Sequence, residues 1–260
     1  MPANFDVTVC VTFHAENELL LPSLASLNDT VNFARNRGHR VQVLAAADNA
    51  TQRTSELLAR SNNLFDYVHP VTFGQPAEAR NYLVEKAGGK FVAVLDGDDL
   101  WSQNWIAQSI ETLRDACPVE SVLHPEFVYY FVEEDFKFHS ATQDPSPMSK
   151  SHFVRHRDSI EDETTKAKIL LDNFWSAHSV ALRSTFLDHP YQVDARETGT
   201  GIEDWGFNIE TLNSGIQHIA VAKTLHMVRI KEVGSQNLRN FNDALLPRLP
   251  PGSQLILDKQ

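Results

Sequence analysis

The chain has 260 residues, of which 42% are hydrophobic and 22% charged, a composition typical of a globular fold with a sizeable core. Its 34 acidic and 23 basic residues give a net charge of -11, which argues against a nucleic-acid-binding surface because phosphate backbones are bound by basic faces. The two distant cysteines, Cys10 and Cys117, and the lack of a targeting sequence or a membrane-length apolar run predict a cytoplasmic protein with free thiols.

The first half of the sequence alternates between strand and helix patterns. Apolar, β-branched runs predict four strands: residues 7–13, 41–47, 65–71 and 91–95. Amphipathic segments after the first three predict helices: residues 16–37, 51–60 and 76–87. Because apolar strands that alternate with helices form parallel sheets covered on both faces, we expect an α/β fold with its ligand at the carboxyl ends of the strands.

An acidic cluster, Asp96-Gly97-Asp98-Asp99, directly follows the fourth predicted strand. Burying several carboxylates is costly without a partner, and hard oxygen ligands suit Mg²⁺ or Mn²⁺. The sequence therefore predicts a metal site at this strand end. The alternative is an acidic turn in which Asp99 or Ser102 caps the next helix, and at the end of the cluster Asp99 is the expected cap.

The other strand ends carry polar residues that could line the same crevice. Residues 12–16 follow the first strand, Asp48 the second, and residues 74–80 the third. Asp48 could accept hydrogen bonds from a base or a ribose, or it could cap the next helix. Arg80, near a helix start, could pair with a diphosphate, or it could make a surface pair with Glu78 or Glu85.

The second half is less regular. Strand-like runs are predicted at residues 121–132, 179–182, 216–222 and 224–231, and a helix at residues 203–213. Residues 133–162 are predicted to be an irregular insertion. Its basic and histidine residues could close over an acceptor or contact anionic lipid head groups, and the alternative is a solvated loop.

Six short motifs together resemble a known family. They are residues 9–16 (VCVTFHAE), Asp48, residues 74–81 (GQPAEARN), residues 95–99 (LDGDD), residues 201–205 (GIEDW) and residues 229–237 (RIKEVGSQN). In this order they resemble the family 2 glycosyltransferases of the GT-A fold. The resemblance implies a mixed, mainly parallel sheet flanked by helices and transfer of a sugar from a nucleotide diphosphate sugar, typically with inversion.

The resemblance also implies how the donor is held. Thr12, Glu16 and Asp48 would bind the nucleotide, with Asp48 facing the base, and Arg80 would approach the donor. Thr12 departs from the family pattern, in which proline is frequent at this position, and this difference is expected to be harmless.

The acidic cluster would hold Mn²⁺ or Mg²⁺. Asp98 would ligate the metal, and Asp96, next to Gly97, would contact the ribose or a metal-bound water. Lys231 stands where the family often has a histidine, so its ammonium would bind the diphosphate as a point charge instead of coordinating the metal. His226 could reach the metal, or it could be a histidine buried within a strand.

The motif at residues 201–205 would supply the catalytic base. Asp204 would take the proton of the acceptor hydroxyl, with Glu203 supporting the acceptor or the loop. The alternative for Asp204 is a helix N-cap. Trp205, and with weaker support Trp175, would stack on a sugar face of the acceptor, although either tryptophan could equally belong to the core.

The predicted protein is a metal-dependent inverting glycosyltransferase. It would move a sugar from a UDP-sugar to a glycan or lipid-linked saccharide in surface polysaccharide synthesis, with the cytoplasmic protein contacting the inner face of the membrane peripherally. Arg229, Lys231 and Ser235 of the closing segment would bind the donor, and the two cations would neutralise the leaving diphosphate. The alternatives are a non-catalytic carbohydrate-binding or scaffold module of a larger assembly protein and a sugar nucleotidyltransferase.

A single domain is predicted for residues 1–240. Residues 1–115 would form its nucleotide-sugar half and residues 116–240 its acceptor and catalytic half. The proline-bearing residues 241–260 would be a C-terminal extension or linker.

Overall fold

The computed structural model of the chain describes residues 4–115, 120–136, 150–162, 164–193 and 200–231, with residues 246, 247 and 249. The first strands are β1 (Phe5–Phe13), β2 (Val41–Asp48), β3 (Tyr67–Val71) and β4 (Gly89–Asp96). The helices between them are α1 (Leu20–Asn36), α2 (Gln52–Arg60) and α3 (Pro76–Lys86). The predicted alternation is confirmed. Helix α1 begins later than predicted because Asn17–Leu19 forms a short 3-10 helix.

The elements after β4 vary more in length. They are β5 (Leu100–Trp101), α4 (Trp105–Asp115), β6 (Ser121–Val132), α5 (Glu133–Phe136), β7 (His152–Arg155), α6 (Thr165–Lys168), β8 (Val180–Leu182), α7 (Arg183–Asp188), α8 (Glu203–Asn213) and β9 (Gln217–Ile230). The predictions for β6 and α8 are confirmed. The prediction of two final strands is wrong, because β9 runs through Lys223 in a left-handed conformation (φ 62°), where its register to β6 shifts.

The predicted irregular insertion is partly regular. Within its described residues, α5 follows β6 directly and β7 pairs antiparallel with β6, with Tyr129 opposite Phe153. The two rings stack with their centroids 4.3 Å apart. Residues 137–149 lie outside the described part of the chain.

One mixed sheet organises the described residues, in the order β3-β2-β1-β4-β8-β6-β9-β5, with β7 beside β6. Strands β1 to β4 are mutually parallel, and β8 runs antiparallel to β4. Val9 and Val11 of β1 belong to an apolar cluster on one face, packed with α1 and α4, whereas Cys10 belongs to a cluster on the other, packed with α3. Both faces are therefore covered, which leaves the carboxyl ends of the strands as the open edge.

Several predictions fall outside the described residues. Cys117, Ser235 and the boundary at residue 240 are among them, so the division into a domain and an extension stays a prediction. Near the described part of the C-terminus, the Gly201 backbone N–H donates to the Leu246 carbonyl oxygen (3.0 Å). Among the described residues, no helix is long and apolar enough to cross a lipid bilayer.

Candidate active site at the carboxyl ends of the parallel strands

A cavity of about 440 Å³ opens at the carboxyl ends of β1, β2 and β4. It brings together most of the predicted site residues: Thr12, Glu16, Asp48, Arg80, Asp96, Gly97, Asp98, Trp175, Glu203, Asp204, Arg229 and Lys231. These residues come from segments that are far apart in sequence. A cavity with convergent charged groups at this edge of an α/β sheet is the expected place for a ligand.

The end of β1 contributes two side chains to the cavity wall. Thr12 Oγ1 donates a hydrogen bond to Asp96 Oδ1 on the neighbouring strand (3.3 Å). The Glu16 carboxylate accepts the His14 backbone N–H (2.6 Å). Burial and the nearby Asp98 raise the pKa of Glu16.

Asp48, at the end of β2, is buried and holds the loop before α3. Its carboxylate accepts the backbone N–H groups of Phe73 (2.7 Å) and Gly74 (2.8 Å). Gly74 adopts a left-handed conformation (φ 74°), which glycine tolerates without strain. The cap of α2 is Thr51, whose hydroxyl accepts from the Thr54 backbone N–H, so the capping alternative for Asp48 is wrong.

Gly97 is required by close packing at the end of β4. A Cβ at this position would overlap the Phe13 ring and would lie 2.7 Å from the Thr12 carbonyl oxygen. A residue larger than glycine would therefore push β4 away from β1. The glycine allows Asp96 and Asp98 to flank a backbone that lies directly against the neighbouring strand.

The three carboxylates after β4 have different partners. Asp96 accepts two bonds from Arg80 Nη2 (2.7 and 3.0 Å), and Asp98 Oδ2 lies 2.7 Å from Lys231 Nζ. Although burial favours the neutral acid, Arg80 and the nearby imidazole hold the pKa of Asp96 far below its usual value. Burial and Asp99 raise the pKa of Asp98 to about 6 even with Lys231 beside it. The carboxylates therefore keep different affinities for protons and cations.

Asp99 turns into the protein. Its Oδ1 accepts the Arg229 backbone N–H (2.8 Å) and its Oδ2 lies 3.2 Å from His178 Nε2. The expectation that Asp99 caps the next helix is wrong, because these two partners hold its carboxylate against β9 and β8. The Arg229 guanidinium pairs with Glu133 and lies over the Phe131 ring (4.8 Å).

His178 was not found from the sequence, nor were the cavity-lining Tyr130 and Asn173. The His178 ring is buried, and Nε2 also lies 3.5 Å from Asp96 Oδ2. Burial alone would lower its pKa, but Asp96 and Asp99 raise it to about 9. Only its position could have marked His178 as a site residue. It lies just before β8, and because β8 runs antiparallel to β4, the start of β8 lies near the acidic end of β4.

Arg80 joins the two predicted acidic motifs. Its Nη1 donates to Glu203 Oε1 (2.7 Å) while Nη2 holds Asp96, and the Tyr191 ring lies against the guanidinium (5.3 Å). The side chain is only 3% exposed, so the alternative of a surface pair with Glu78 or Glu85 is wrong.

Asp204 lies in the first turn of α8, which begins at Glu203. The helix cap is Ile202 in a left-handed conformation (φ 63°), so the capping alternative for Asp204 is wrong. Asn173 Nδ2 donates to Asp204 Oδ2 (3.0 Å), and Asn173 Oδ1 accepts from Asn208 (2.9 Å). Burial and Glu203 raise the pKa of Asp204 to about 7, with Arg80 opposing the shift. A carboxylate poised near neutral pH suits a general base.

The predicted aromatic residues are divided between the cavity and the core. Trp175 lines the cavity and stacks on the buried rings of His124 (5.3 Å) and His218 (4.3 Å). Trp205 does not line it: its indole N–H donates to the Ile169 carbonyl oxygen (2.6 Å) and fixes the segment before Trp175. The predicted stacking of Trp205 on an acceptor sugar is therefore replaced by a structural role.

His226 is also excluded from the cavity. Its fully buried ring stacks on Trp101 (5.7 Å) and meets the edge of Trp105 (4.6 Å). The predicted metal-ligand role for His226 is wrong, because Trp101 of β5 and Trp105 of α4 cover the ring and it does not line the cavity. The alternative, a histidine buried within a strand, is what the structure has.

The residues at the acidic end fit a divalent cation. Ligand atoms of Asp96, Asp99 and His178 lie within 4.8 Å of one another, and Asp98 lines the same cavity. Mn²⁺ accepts carboxylate oxygens with a neutral imidazole nitrogen, so His178, whose pKa the two aspartates raise, would have to lose its proton to join the carboxylates as a ligand.

The comparisons with known proteins agree with this geometry. A sequence model of glycosyl transferase family 2 matches residues 8–170. The chain is 25% identical over 125 residues to a putative teichuronic acid biosynthesis glycosyltransferase, TuaG, from Bacillus subtilis, covering 40% of this chain and 50% of that protein. It is 25% identical over 130 residues to an uncharacterized glycosyltransferase from Rickettsia bellii, covering 48% of this chain and 18% of that protein. The chain therefore spans half or less of the length of these relatives.

Solved structures share the fold. The S. aureus TarS 1-349 complex with UDP superposes with a TM-score of 0.58 at 16% identity, covering 87% of this chain and 61% of that one. The mannosyltransferase PcManGT from Pyrobaculum calidifontis, in complex with GDP-Man and Mn²⁺, gives a TM-score of 0.58 at 16% identity, covering 98% of this chain and 68% of that one. The fold is the GT-A fold, and the chain belongs to glycosyl transferase family 2, a family of transferase enzymes.

Proposed function

We propose that this protein is a metal-dependent, inverting glycosyltransferase that uses a UDP-sugar. The observation that carries the proposal is the Arg80 bridge between Asp96 and Glu203, because it joins the acidic strand end and the Asp204 turn in one cavity. The groups that stabilise the leaving diphosphate and the group that activates the acceptor must both lie next to the same sugar carbon, so they have to share one cavity.

The donor would lie along the ends of β1, β2 and β4. Thr12, Glu16 and Asp48 would bind the nucleotide, and Arg229 and Lys231 would face the diphosphate. Asp98 and Asp96 would hold Mn²⁺ or Mg²⁺. When bound, the metal would act as a Lewis acid that neutralises the departing diphosphate. The complexes of the fold's relatives with UDP, UDP-GlcNAc, GDP-Man and Mn²⁺ support a nucleotide-sugar donor and a divalent metal.

The acceptor would lie against Asp204 and Trp175. Asp204, oriented by the Asn173 bond to Oδ2, would accept the proton of the acceptor hydroxyl as the hydroxyl oxygen attacks the anomeric carbon. Trp175 would bind a sugar face of the acceptor. The acceptor would be a glycan or lipid-linked saccharide, and the protein would act in the cytoplasm at the inner face of the membrane. The relative named for teichuronic acid biosynthesis supports a role in making a polysaccharide.

Calorimetric titration with UDP, with and without Mn²⁺, tests the donor site. We expect metal-dependent binding that Asp98→Asn weakens at least about 10-fold, because it removes a charged ligand of the metal. Asp188→Asn, in an exposed part of α7, is the matched control and should bind like the wild type. Equal UDP affinity with and without metal in the wild type, or an unchanged Asp98→Asn variant, would contradict the metal assignment.

Transfer from a panel of nucleotide sugars to a panel of saccharide acceptors separates the enzyme from the scaffold alternative. The proposed enzyme releases UDP only when donor and acceptor are both present. A protein that binds UDP and metal but releases no UDP with any pair would be a non-catalytic module.

A further inference from the structure

Each of the three carboxylates after β4 has a cationic partner from the protein. Asp96 is paired with Arg80 (2.7 Å), Asp98 with Lys231 (2.7 Å), and Asp99 with His178 (3.2 Å). A divalent cation that enters this cluster therefore meets protein cations already in place. Because the three carboxylates and their three cations already balance, the divalent cation adds excess positive charge, and displacement of a protein cation reduces that excess.

The three cations differ in how firmly they are held. The Arg80 side chain is 3% exposed and is also paired with Glu203, and the His178 ring is 1% exposed and lies against two carboxylates. The Lys231 side chain is 25% exposed and follows the end of β9 on a flexible four-carbon stem. Because solvent reaches it, the ammonium can leave Asp98 without itself being isolated in the interior, and the incoming divalent cation then takes its place beside the buried carboxylate.

We propose that Lys231 is an exchangeable counter-ion of the metal site. It occupies Asp98 in the metal-free protein, is displaced by the divalent cation, and then turns its ammonium to the diphosphate of the donor. This inference rests on the proposed function, because it needs a metal at Asp98 and a diphosphate beside it. In this exchange the Lys231 ammonium has two negatively charged partners in succession, first the Asp98 carboxylate and then the diphosphate.

The exchange has a consequence for affinity. As long as Lys231 is bound to Asp98, the metal must displace it, so the ammonium lowers metal affinity in the absence of nucleotide. Once a diphosphate is present, the displaced ammonium has a new anionic partner and the penalty disappears. Metal and nucleotide therefore bind with positive cooperativity through Lys231.

Manganese binding to the nucleotide-free protein tests the inference without any activity measurement. Electron paramagnetic resonance of free Mn²⁺ gives its dissociation constant. We expect Lys231→Met and Lys231→Gln to bind Mn²⁺ about 5-fold more tightly than the wild type, the effect of removing one partly exposed ion pair. Lys231→Arg keeps the charge and should stay near the wild type. Lys166→Met, exposed on α6, is the control for loss of one positive charge.

The same variants should respond oppositely to UDP. With Mn²⁺ saturating, Lys231→Met and Lys231→Gln should bind UDP more weakly than the wild type, because the diphosphate loses a cationic partner. Unchanged or weaker Mn²⁺ binding in both variants would overturn the inference, as would unchanged UDP binding.

The Asp98→Asn variant separates this failure from a failure of the proposed function. If Asp98→Asn abolishes Mn²⁺ binding while Lys231→Met leaves it unchanged, only the exchange is wrong. If Asp98→Asn also leaves Mn²⁺ binding unchanged, the proposed metal site itself is wrong.

Discussion

The two walls of the cavity stabilise their functional groups in different ways. The donor wall, at the ends of β1 to β4, consists of carboxylates held by ion pairs with Arg80, Lys231 and His178. On the acceptor wall, Trp175 rests on buried histidine rings, and a neutral amide contacts Asp204. Charge pairing would suit a wall that binds an anionic donor and a metal cation, as proposed, whereas neutral hydrogen bonds would fix the geometry of the proposed base without adding charge beside it.

Buried histidines show the contrast most directly. Between two carboxylates, the pKa of His178 is raised to about 9. Beneath Trp175, His124 Nε2 and His218 Nδ1 are 2.9 Å apart and Thr211 Oγ1 lies 2.9 Å from His218 Nε2. Burial lowers the pKa of His218 to about 3 and that of His124 well below its usual value. Histidine is therefore charged on the donor wall, at His178, and neutral beneath the acceptor wall, at His124 and His218.

The strongest test of this division is Asp204→Asn. If the acceptor wall supplies only the base, turnover should fall about 100-fold or more while UDP and Mn²⁺ affinities stay at wild-type values. In the wild type, kcat/KM should rise with pH around a midpoint near 7, because the base must be deprotonated. Steady-state kinetics and calorimetry on the same protein measure both. Near-normal turnover, or a parallel loss of UDP affinity, would contradict the assignment of Asp204.

Asn173 tests whether neutrality beside the base matters. Asn173→Ala removes the bond to Asp204 Oδ2 and should lower kcat about 10-fold with UDP affinity unchanged, an effect of misorientation. Asn173→Asp places a second carboxylate beside Asp204 and should move the acid midpoint of the pH profile upwards. An unmoved midpoint in Asn173→Asp would mean that Asn173 only fills space.

A smaller effect is expected on stability in acid. The pKa of His156, whose Nδ1 lies 2.9 Å from the Pro125 carbonyl oxygen, is lowered by burial to about 4. Between the unfolded value of about 6.5 and pH 4 the unfolded chain binds more protons than the folded protein, so this histidine destabilises the fold as the pH falls. His156→Gln should therefore lose less free energy of unfolding than the wild type between neutral and mildly acidic pH.

The matched control is His152→Gln, an exposed position on β7. Urea denaturation at a series of pH values gives the slopes. If the free energy of unfolding falls equally steeply with pH in the wild type and in His156→Gln, His156 does not contribute to the loss of stability in acid.

Cavity residues on both walls were predictable from sequence, Asp96 and Asp98 on one wall and Asp204 on the other. The side chains that contact these carboxylates, His178 and Asn173, were not. Continuous apolar strands ending in polar residues identified Thr12, Asp48 and Asp96 as neighbours, since parallel strands end at one edge. His178 and Asn173 follow no such pattern, because they lie in the irregular segment between α6 and β8 and owe their position to long-range packing. Nothing in the local sequence marks a residue that a short antiparallel strand returns to the site.

Three helix-capping assignments fail for one physical reason. Capping was the alternative for Asp48 and Asp204 and the expectation for Asp99, but none of them caps a helix in the structure, because each carboxylate finds partners distant in sequence. Trp205 and His226 were assigned from residue type, and the orientation of a side chain toward the core or the cavity depends on the tertiary packing of α8 and β9. Periodicity predicts which elements form, but it cannot give this orientation.

The bridge made by Arg80 also couples the charge at the acidic strand end to the proton affinity of Asp204. One guanidinium compensates a carboxylate on the donor wall and another on the acceptor wall, so a change of charge at Asp96 alters the field at Glu203 and at the neighbouring Asp204. Under the proposed function, donor and metal bound beside Asp96 would therefore change the proton affinity of Asp204 before an acceptor arrives. Thermodynamic reciprocity then requires protonation of the base to change donor affinity by the same factor.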